Sequence, residues 1–227
     1  MDTSRMTARI VGALFIIGTV AGILSAVITG TILNDPDFLT KVSENKNQII
    51  VGAFFVLIMG LALAMVPVMM FPIFRKYNEA LAVSCVVFRG ALEAVAYLLI
   101  VIIMLLLLTL SQEYVKMGAS DTSYFQTLGT LLLKAIDQVN SILKIVFSLG
   151  ALMIYYLYYQ SELVPRWLSI WGLVGAIIYL VAGLFAVFSI DYSILLVPLG
   201  LQEMTLAVWL IVKGFNLSSI AAEPAKL

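Results

Sequence analysis

Six ionisable residues lie inside the apolar stretches of this 227-residue chain or directly beside them. A charge at the centre of a membrane-spanning helix costs about 2.5–3.5 kcal/mol on insertion scales. We therefore expect these side chains to turn away from lipid and to pair, forming a place where an ion, a proton or a small polar solute could bind. They are three cations and three carboxylates: Arg89, Glu93, Lys134, Asp137, Lys144 and Glu203.

Arg89 and Glu93 are four residues apart, so they share one face of the third apolar stretch. Tyr97 extends that face by one more turn. Counting the helical rise from the nearest membrane face places Glu93 and Glu203 at a similar depth of about 15 Å. The spacing predicts that one arginine serves two carboxylates from separate crossings.

A second group of polar residues falls on one stripe of the fourth apolar stretch, at offsets that match the helical period: Asp137, Asn140, Ser141, Lys144 and Ser148. Because such a stripe is costly in lipid, we predict that it lines a polar interior together with the third and sixth crossings. The same residues equally fit a structural role in which the pairs only fix helix register. The predicted polar interior comprises Arg89, Glu93, Tyr97, Asp137, Asn140, Ser141, Lys144 and Glu203.

The composition explains why lipid is the solvent to consider. The chain is 63% hydrophobic and only 11% charged, whereas soluble domains are about 45–50% apolar and about a quarter charged. We predict one all-α domain over residues 1–227, a polytopic membrane helix bundle with six transmembrane helices. The predicted crossings are Ile10–Leu33, Ile49–Phe74, Ala80–Leu110, a stretch ending near Tyr159, Trp167–Phe188 and Tyr192–Lys213.

The fourth stretch is longer than one crossing requires. A helix from Tyr124 to Tyr159 would measure about 54 Å, nearly twice the apolar thickness of a bilayer. Tyr124 to Asp137 therefore either protrudes or lies along the membrane surface, and the crossing begins near Asn140. If that piece spans instead, the number of helices is seven.

Lysine and arginine residues are divided unequally between the two sides that six crossings define. Three of them, Lys41, Lys46 and Lys116, fall on one side. Because short cytoplasmic loops carry the excess of positive charge, both termini are predicted to be cytoplasmic, in the cell membrane. The side with the termini holds Arg5, Arg9, Arg75, Lys76, Arg166, Lys213 and Lys226.

Several chemistries are excluded by what the chain lacks. It has no histidine and one cysteine, Cys85, which rules out His-dependent hydrolysis, His-ligated zinc or haem, and an intrachain disulfide. Its formal net charge of zero gives no basis for binding nucleic acid. We predict no catalytic residue, metal or cofactor, and an intramembrane lipid-modifying enzyme is the least favoured class.

Small residues recur every four positions in the first crossing, at Gly18, Gly22, Ala26 and Gly30. Such a stripe lets helix backbones approach closely, either within the chain, in a homo-oligomer, or against another membrane protein. The last case defines the second function class: an accessory or regulatory protein that acts by packing against a partner.

Aromatic and proline residues predict where crossings end. The rings around Pro165 are predicted to anchor the chain at the membrane surface. Pro67 and Pro72 are predicted to kink or stop the second crossing, and Pro198 to interrupt the sixth. The predicted anchors are Tyr155, Tyr156, Tyr158, Tyr159, Trp167 and Trp171.

Three segments carry a family resemblance: ARIVGALFIIGTVAGI (Ala8–Ile23), SELVPRWLSIWGLVGA (Ser161–Ala176) and LQEMTLAVWLIVKGF (Leu201–Phe215). They resemble bacterial and archaeal multi-pass membrane proteins catalogued as a domain of unknown function, number four-three-eight-six. The resemblance implies an integral membrane protein with no assigned activity, substrate or cofactor, and it includes Glu203. The leading interpretation is a non-enzymatic membrane protein whose polar interior binds or passes a small solute, ion or proton.

Overall fold

The computed structural model describes residues 3–117, 122–190 and 192–216, which contain helices and no strand. Lys226 therefore lies outside the described residues. A π-helical turn, Val86–Leu92, joins α4 to α5, and a 3₁₀ turn, Ser193–Leu196, precedes α8. The α-helices are α1 Thr3–Leu33, α2 Phe38–Glu44, α3 Lys46–Phe74, α4 Glu79–Cys85, α5 Glu93–Met117, α6 Thr122–Ser161, α7 Arg166–Val187 and α8 Val197–Val212.

Six helical segments are long and apolar enough to cross a membrane, which confirms the all-α, multi-pass prediction. α6 runs through Asp137 without a break, and its 40 residues correspond to about 60 Å. The stretch is thus one continuous helix, longer than one bilayer thickness. That Tyr124 to Asp137 protrudes or lies along the membrane surface stays a prediction. The six segments are Ser4–Leu33, Lys46–Phe74, Glu79–Met117, Ser123–Ser161, Arg166–Val187 and Ser193–Val212.

The proline predictions are partly wrong. α3 continues through Pro67 and ends only two residues after Pro72. Pro198 lies in the first turn of α8, where a helix needs no backbone N–H from it, so it does not interrupt the sixth crossing. At the other end of α8, Gly214 takes the left-handed conformation that favours glycine after a helix (φ +75°).

The short helix α2 was not expected from the sequence. Asp35 and Asp37 form the turn before it, with the Asp37 amide donating to the Asp35 carboxylate over 2.8 Å. Leu39 and Val42 are buried on its inner face. Seven residues are too few for a clear helical period, so hydropathy alone does not reveal this element.

Backbone packing divides the described residues into two compact units, while folding as one domain stays a prediction. One unit comprises Gly18–Gly60 and Val95–Asn140. Gly129 on α6 lies against Phe38 in this unit, where a side chain would collide with the ring. The unit's buried apolar cluster is Ile32, Leu39, Val42, Ile49, Leu107 and Leu108.

In the same unit, the stripe of small residues on α1 coincides only in part with the buried face. Ala26 is exposed, and a Cβ on Gly30 would meet no atom within 4 Å. Gly22 does pack within the chain, against Met59. Packing of a second copy or of another membrane protein against the remaining small residues stays a prediction. The most deeply buried positions of this part of α1 are Gly18, Ala21, Ser25 and Thr29.

The other unit contains the described residues of Met1–Ile17, Leu61–Ala94 and Ser141–Leu227. Gly12 of α1 lies so close to α8 that a Cβ there would be 2.6 Å from the Ala207 carbonyl oxygen. Glycine at this position therefore permits close contact between the two helices. This unit holds the buried ion pairs described next.

Candidate functional site

Arg89 is the centre of a buried charge cluster in the unit that contains Leu61–Ala94 and the described residues from Ser141 onward. Its Nη2 donates to Glu203 Oε1 over 2.6 Å, and its Nη1 lies 3.5 Å from Glu93 Oε2. The side chains of Arg89 and Glu93 are each 1% exposed, and that of Glu203 is 12% exposed. The π turn, α5 and α8 thus bring one guanidinium to two carboxylates, and the shorter contact is with Glu203.

The local backbone explains how Arg89 reaches this position. It belongs to the π turn, whose wider hydrogen-bond ring occurs often at functional sites. α6 approaches this turn at Gly150, where a Cβ would lie 3.0 Å from both the backbone nitrogen and the Cβ of Arg89. A glycine on α6 therefore allows the two backbones to pack directly.

Aromatic rings surround the guanidinium. The Arg89 Cζ lies 3.9 Å from the Phe147 ring centroid and 5.9 Å from that of Phe15. Stacking on an aromatic face stabilises a cation that has lost its water. The Phe147 ring also packs on Tyr179 of α7, with 4.8 Å between centroids. These contacts hold Arg89 from α1 and α6 while leaving its N–H groups for the carboxylates.

Tyr155 on α6 completes the contacts of Glu203. Its hydroxyl group hydrogen-bonds the Glu203 carboxylate, and its ring is buried. Gly172 of α7 lies against that ring, in a space that a side chain would fill. Tyr179 is also close enough to interact electrostatically with the three charged groups. The carboxylate of Glu203 therefore faces Arg89 on one side and a phenol on another.

The prediction for Tyr155 and Tyr158 as membrane-surface anchors is wrong, because both are fully buried. Tyr156 and Tyr159, on the other side of α6, are exposed, as is Trp167. The sequence does contain a signal that Tyr155 is buried. Tyr155 follows Asp137 by five helical turns, so it lies on the same face as the polar stripe of α6. The clustering of aromatic rings obscured that register.

The polar stripe of α6 contributes little to the charge cluster. Ser141 and Ser148 are buried, and the Ser148 hydroxyl donates to the Lys144 carbonyl oxygen over 2.6 Å. Lys144 is half-buried beside Gly183 of α7 and forms no ion pair with a described carboxylate. The expectation that Lys144 joins the carboxylates is therefore wrong for the described residues, because its Cβ packs against α7 at Gly183 and not toward an ion-pair partner.

The remaining predicted site residues, Tyr97, Asp137 and Asn140, belong to the unit that comprises Gly18–Gly60 and Val95–Asn140. Tyr97 is half-buried and lies against Gly60 of α3. Asn140 is half-buried. Asp137 is exposed, contrary to the expectation that it faces an interior. The reason is the length of α6, which can place a carboxylate in water, where its charge costs little.

No group of three metal-ligating side chains stands together in the described part of the chain. Cys85, one residue before the π turn, is buried and reduced. The groups available for chemistry near the cluster include two carboxylates, one guanidinium, two phenols and the Cys85 thiol, which is close enough to Arg89 to interact electrostatically. Such a set can hold and release a proton.

A family model described as a domain of unknown function, DUF4386, matches residues 10–214 of the chain. The chain belongs to this family. The matched region of the DUF4386 protein includes all residues of the charge cluster, from Phe15 to Glu203. No curated protein and no solved structure matches the chain.

Proposed function

We propose that this DUF4386 protein is a multi-pass protein of the cytoplasmic membrane whose buried cluster of Arg89, Glu93 and Glu203 binds and releases a proton. The observation that carries the proposal is the sharing of one guanidinium by two carboxylates from different elements. Proton exchange with one aqueous face would support proton-coupled passage of a small solute or ion.

The charges of the cluster favour a proton as the ligand. One guanidinium and two ionised carboxylates carry a net charge of −1, and a buried uncompensated charge is costly. A metal cation needs several oxygen ligands arranged around it, whereas a proton needs one carboxylate oxygen. The near-complete burial of Arg89 and Glu93 fits the smaller ligand.

The unequal contacts of Arg89 suggest how the proton is accommodated. Glu203, with the shorter ion pair and the larger exposed fraction, is the carboxyl that exchanges with water. When Glu203 takes up a proton, Arg89 keeps the ionised Glu93 as its partner, with 3.5 Å between Nη1 and Oε2. The groups that face Glu203 in either state are Arg89, Tyr155 and Tyr179, with Glu93 on the far side of the guanidinium.

The orientation follows from the distribution of charge. Both termini are proposed to be cytoplasmic, because the loops on that side carry most of the lysine and arginine residues. Glu203, near the middle of α8, then lies roughly two to three helical turns from the cytoplasmic end of that helix. A proton bound there would exchange with the cytoplasm.

Infrared difference spectroscopy between acidic and neutral pH tests the proposal directly. In the reconstituted protein we expect the carbonyl band of a buried, protonated carboxylic acid, and we expect Glu203→Gln to remove it. Glu113→Gln is the matched control, because Glu113 is 53% exposed and pairs with the exposed Lys116. A spectrum of Glu203→Gln that equals the wild type would refute proton binding at this residue.

Thermal unfolding of the same samples separates this function from a purely structural one. If the ion pairs only fix helix register, Glu203→Gln should unfold at markedly lower temperature. If Glu203 is a proton site, its neutral amide resembles the protonated state, and the unfolding temperature should change little at acidic pH.

A further inference from the structure

A cavity of about 340 Å³ lies where α7 begins and α8 ends, away from the buried charge cluster. Its volume is in the range of small-molecule sites, about 300–1,000 Å³. The loop that joins α6 to α7 forms one wall, and the turn after α8 forms the other. The polar side chains among its lining residues are Glu162, Arg166, Lys213 and Asn216, and Trp209 provides an aromatic wall.

The charge around this cavity is mainly positive. Arg166 is held by Glu162 through an ion pair of 2.5 Å, whereas Lys213 forms no ion pair with a described carboxylate. A third cation, Arg5, has its Cγ 3.7 Å from the point where a Cβ of Gly214 would lie. Among the described residues that line the cavity, two cations therefore stand against one carboxylate, an arrangement that favours an anion with several oxygen atoms.

The walls of the cavity are held in place by the backbone. The amide of Asn216 donates to the Leu163 carbonyl oxygen over 2.9 Å, so the two walls are joined. Each wall contains a turn with positive φ, 53° at Glu162 and 75° at Gly214. A left-handed conformation at a residue other than glycine is costly and is retained where the surroundings demand it. The cavity is thus formed before any ligand arrives.

Apolar side chains next to the cavity point to an amphipathic ligand. Trp167 is exposed and lies edge-on to Trp209, with 6.5 Å between ring centroids. Val208 and Val212 of α8 are also exposed. Tryptophan rings prefer the boundary between lipid and water, and exposed valines on a spanning helix suit acyl chains.

We propose that this cavity binds the phosphate group of an anionic phospholipid, with Lys213 and Arg166 on the phosphate oxygens. Lysine acts on phosphate as a point charge and arginine as a planar donor. The acyl chains would follow the exposed valines of α8. A soluble phosphate would make the same polar contacts but would leave the apolar surface uncovered.

Intrinsic fluorescence provides the test, because all three tryptophans of the chain are near this cavity: Trp167 and Trp171 stack on each other, and Trp209 lines it. The full-length protein in neutral detergent is titrated with phosphatidylglycerol, phosphatidylcholine or inorganic phosphate. We expect half-saturation by phosphatidylglycerol at a concentration about tenfold below that of phosphatidylcholine, because the two share the phosphate but the choline cation is repelled by Lys213 and Arg166.

Lys213→Gln should raise the half-saturation concentration for phosphatidylglycerol by about tenfold. Lys76→Gln is the matched control, because Lys76 is an exposed cation that does not line the cavity, and it should leave binding unchanged. Both side chains are exposed, so neither change should impair folding. The tryptophan fluorescence of each variant before lipid is added should equal that of the wild type if the variant is folded.

A response to inorganic phosphate alone, with the same loss in Lys213→Gln, would support the phosphate site and assign it to a soluble anion. Equal binding of the two phospholipids would overturn the proposal. Unchanged phosphatidylglycerol binding in Lys213→Gln would overturn it as well.

Discussion

Gly150 on α6 faces the backbone of Arg89 so closely that a Cβ at residue 150 would lie 3.0 Å from the Arg89 nitrogen. Because the neighbour on the other side of this contact is backbone, it has little freedom to move. The position of the guanidinium therefore depends on a residue that carries no functional group. The ion pairs of Arg89 with Glu203 and Glu93 rest on this contact.

Replacing Gly150 by alanine should destabilise the protein by about 1–3 kcal/mol, the usual cost of overpacking. Gly200→Ala is the matched control, because a Cβ on Gly200 of α8 meets nothing within 4 Å. It should be neutral or stabilising by up to about 1 kcal/mol, since alanine is the better helix former. Thermal unfolding in detergent measures both, and a stable Gly150→Ala would contradict the close packing of α6 on the π turn.

Removing the guanidinium of Arg89 should strongly lower the free energy of unfolding. Arg89→Gln leaves two buried carboxylates without their cation, which costs about 3–5 kcal/mol when one partner of a buried pair is lost. Lys144→Met should change the free energy of unfolding by less than about 1 kcal/mol, because Lys144 forms no ion pair with a described carboxylate. Comparable losses in the two variants would show that Lys144 does belong to the cluster.

The hydroxyl group of Tyr155 should affect proton binding as well as stability. Tyr155→Phe removes the hydrogen bond to Glu203 and should cost about 1 kcal/mol. It should also shift the pH at which the infrared carboxylic acid band appears. Tyr156→Phe, at the neighbouring exposed position, should leave both quantities unchanged.

Labelling with a membrane-impermeant maleimide tests the orientation. Cys85 is buried, so the wild-type chain should give little background. Lys76→Cys, in the turn after α3, should be labelled only in permeabilised cells. Lys41→Cys, on α2, should be labelled in intact cells. The reverse pattern would place the termini outside.

The sequence predicted much of the architecture and the central pair of charges. Long apolar stretches give the six crossings because lipid requires them. Arg89 and Glu93 were found from their spacing, and Glu203 from its depth, since a helix has a fixed rise per residue. Those features depend on local geometry alone.

Other features depend on tertiary contacts that no local pattern encodes. The π turn at Val86–Leu92 has the same apolar composition as an α-helix. The polar stripe predicts that Lys144 and Asp137 face inward, yet Lys144 packs against Gly183 of α7 and Asp137 is exposed. Tyr155 was assigned to the membrane surface because ring type alone does not show which side of α6 packs.

The wide turn around Arg89 sets the rotational phase of everything that follows it in α5. If this turn closed into a regular α-helix with every residue kept, the side chains that follow it would rotate by about 100° relative to α4. The side chains from Glu93 to Met117 would then turn away from the groups that they contact now. One surplus residue in this turn thus ties the charge cluster to the way the whole helix meets the bilayer.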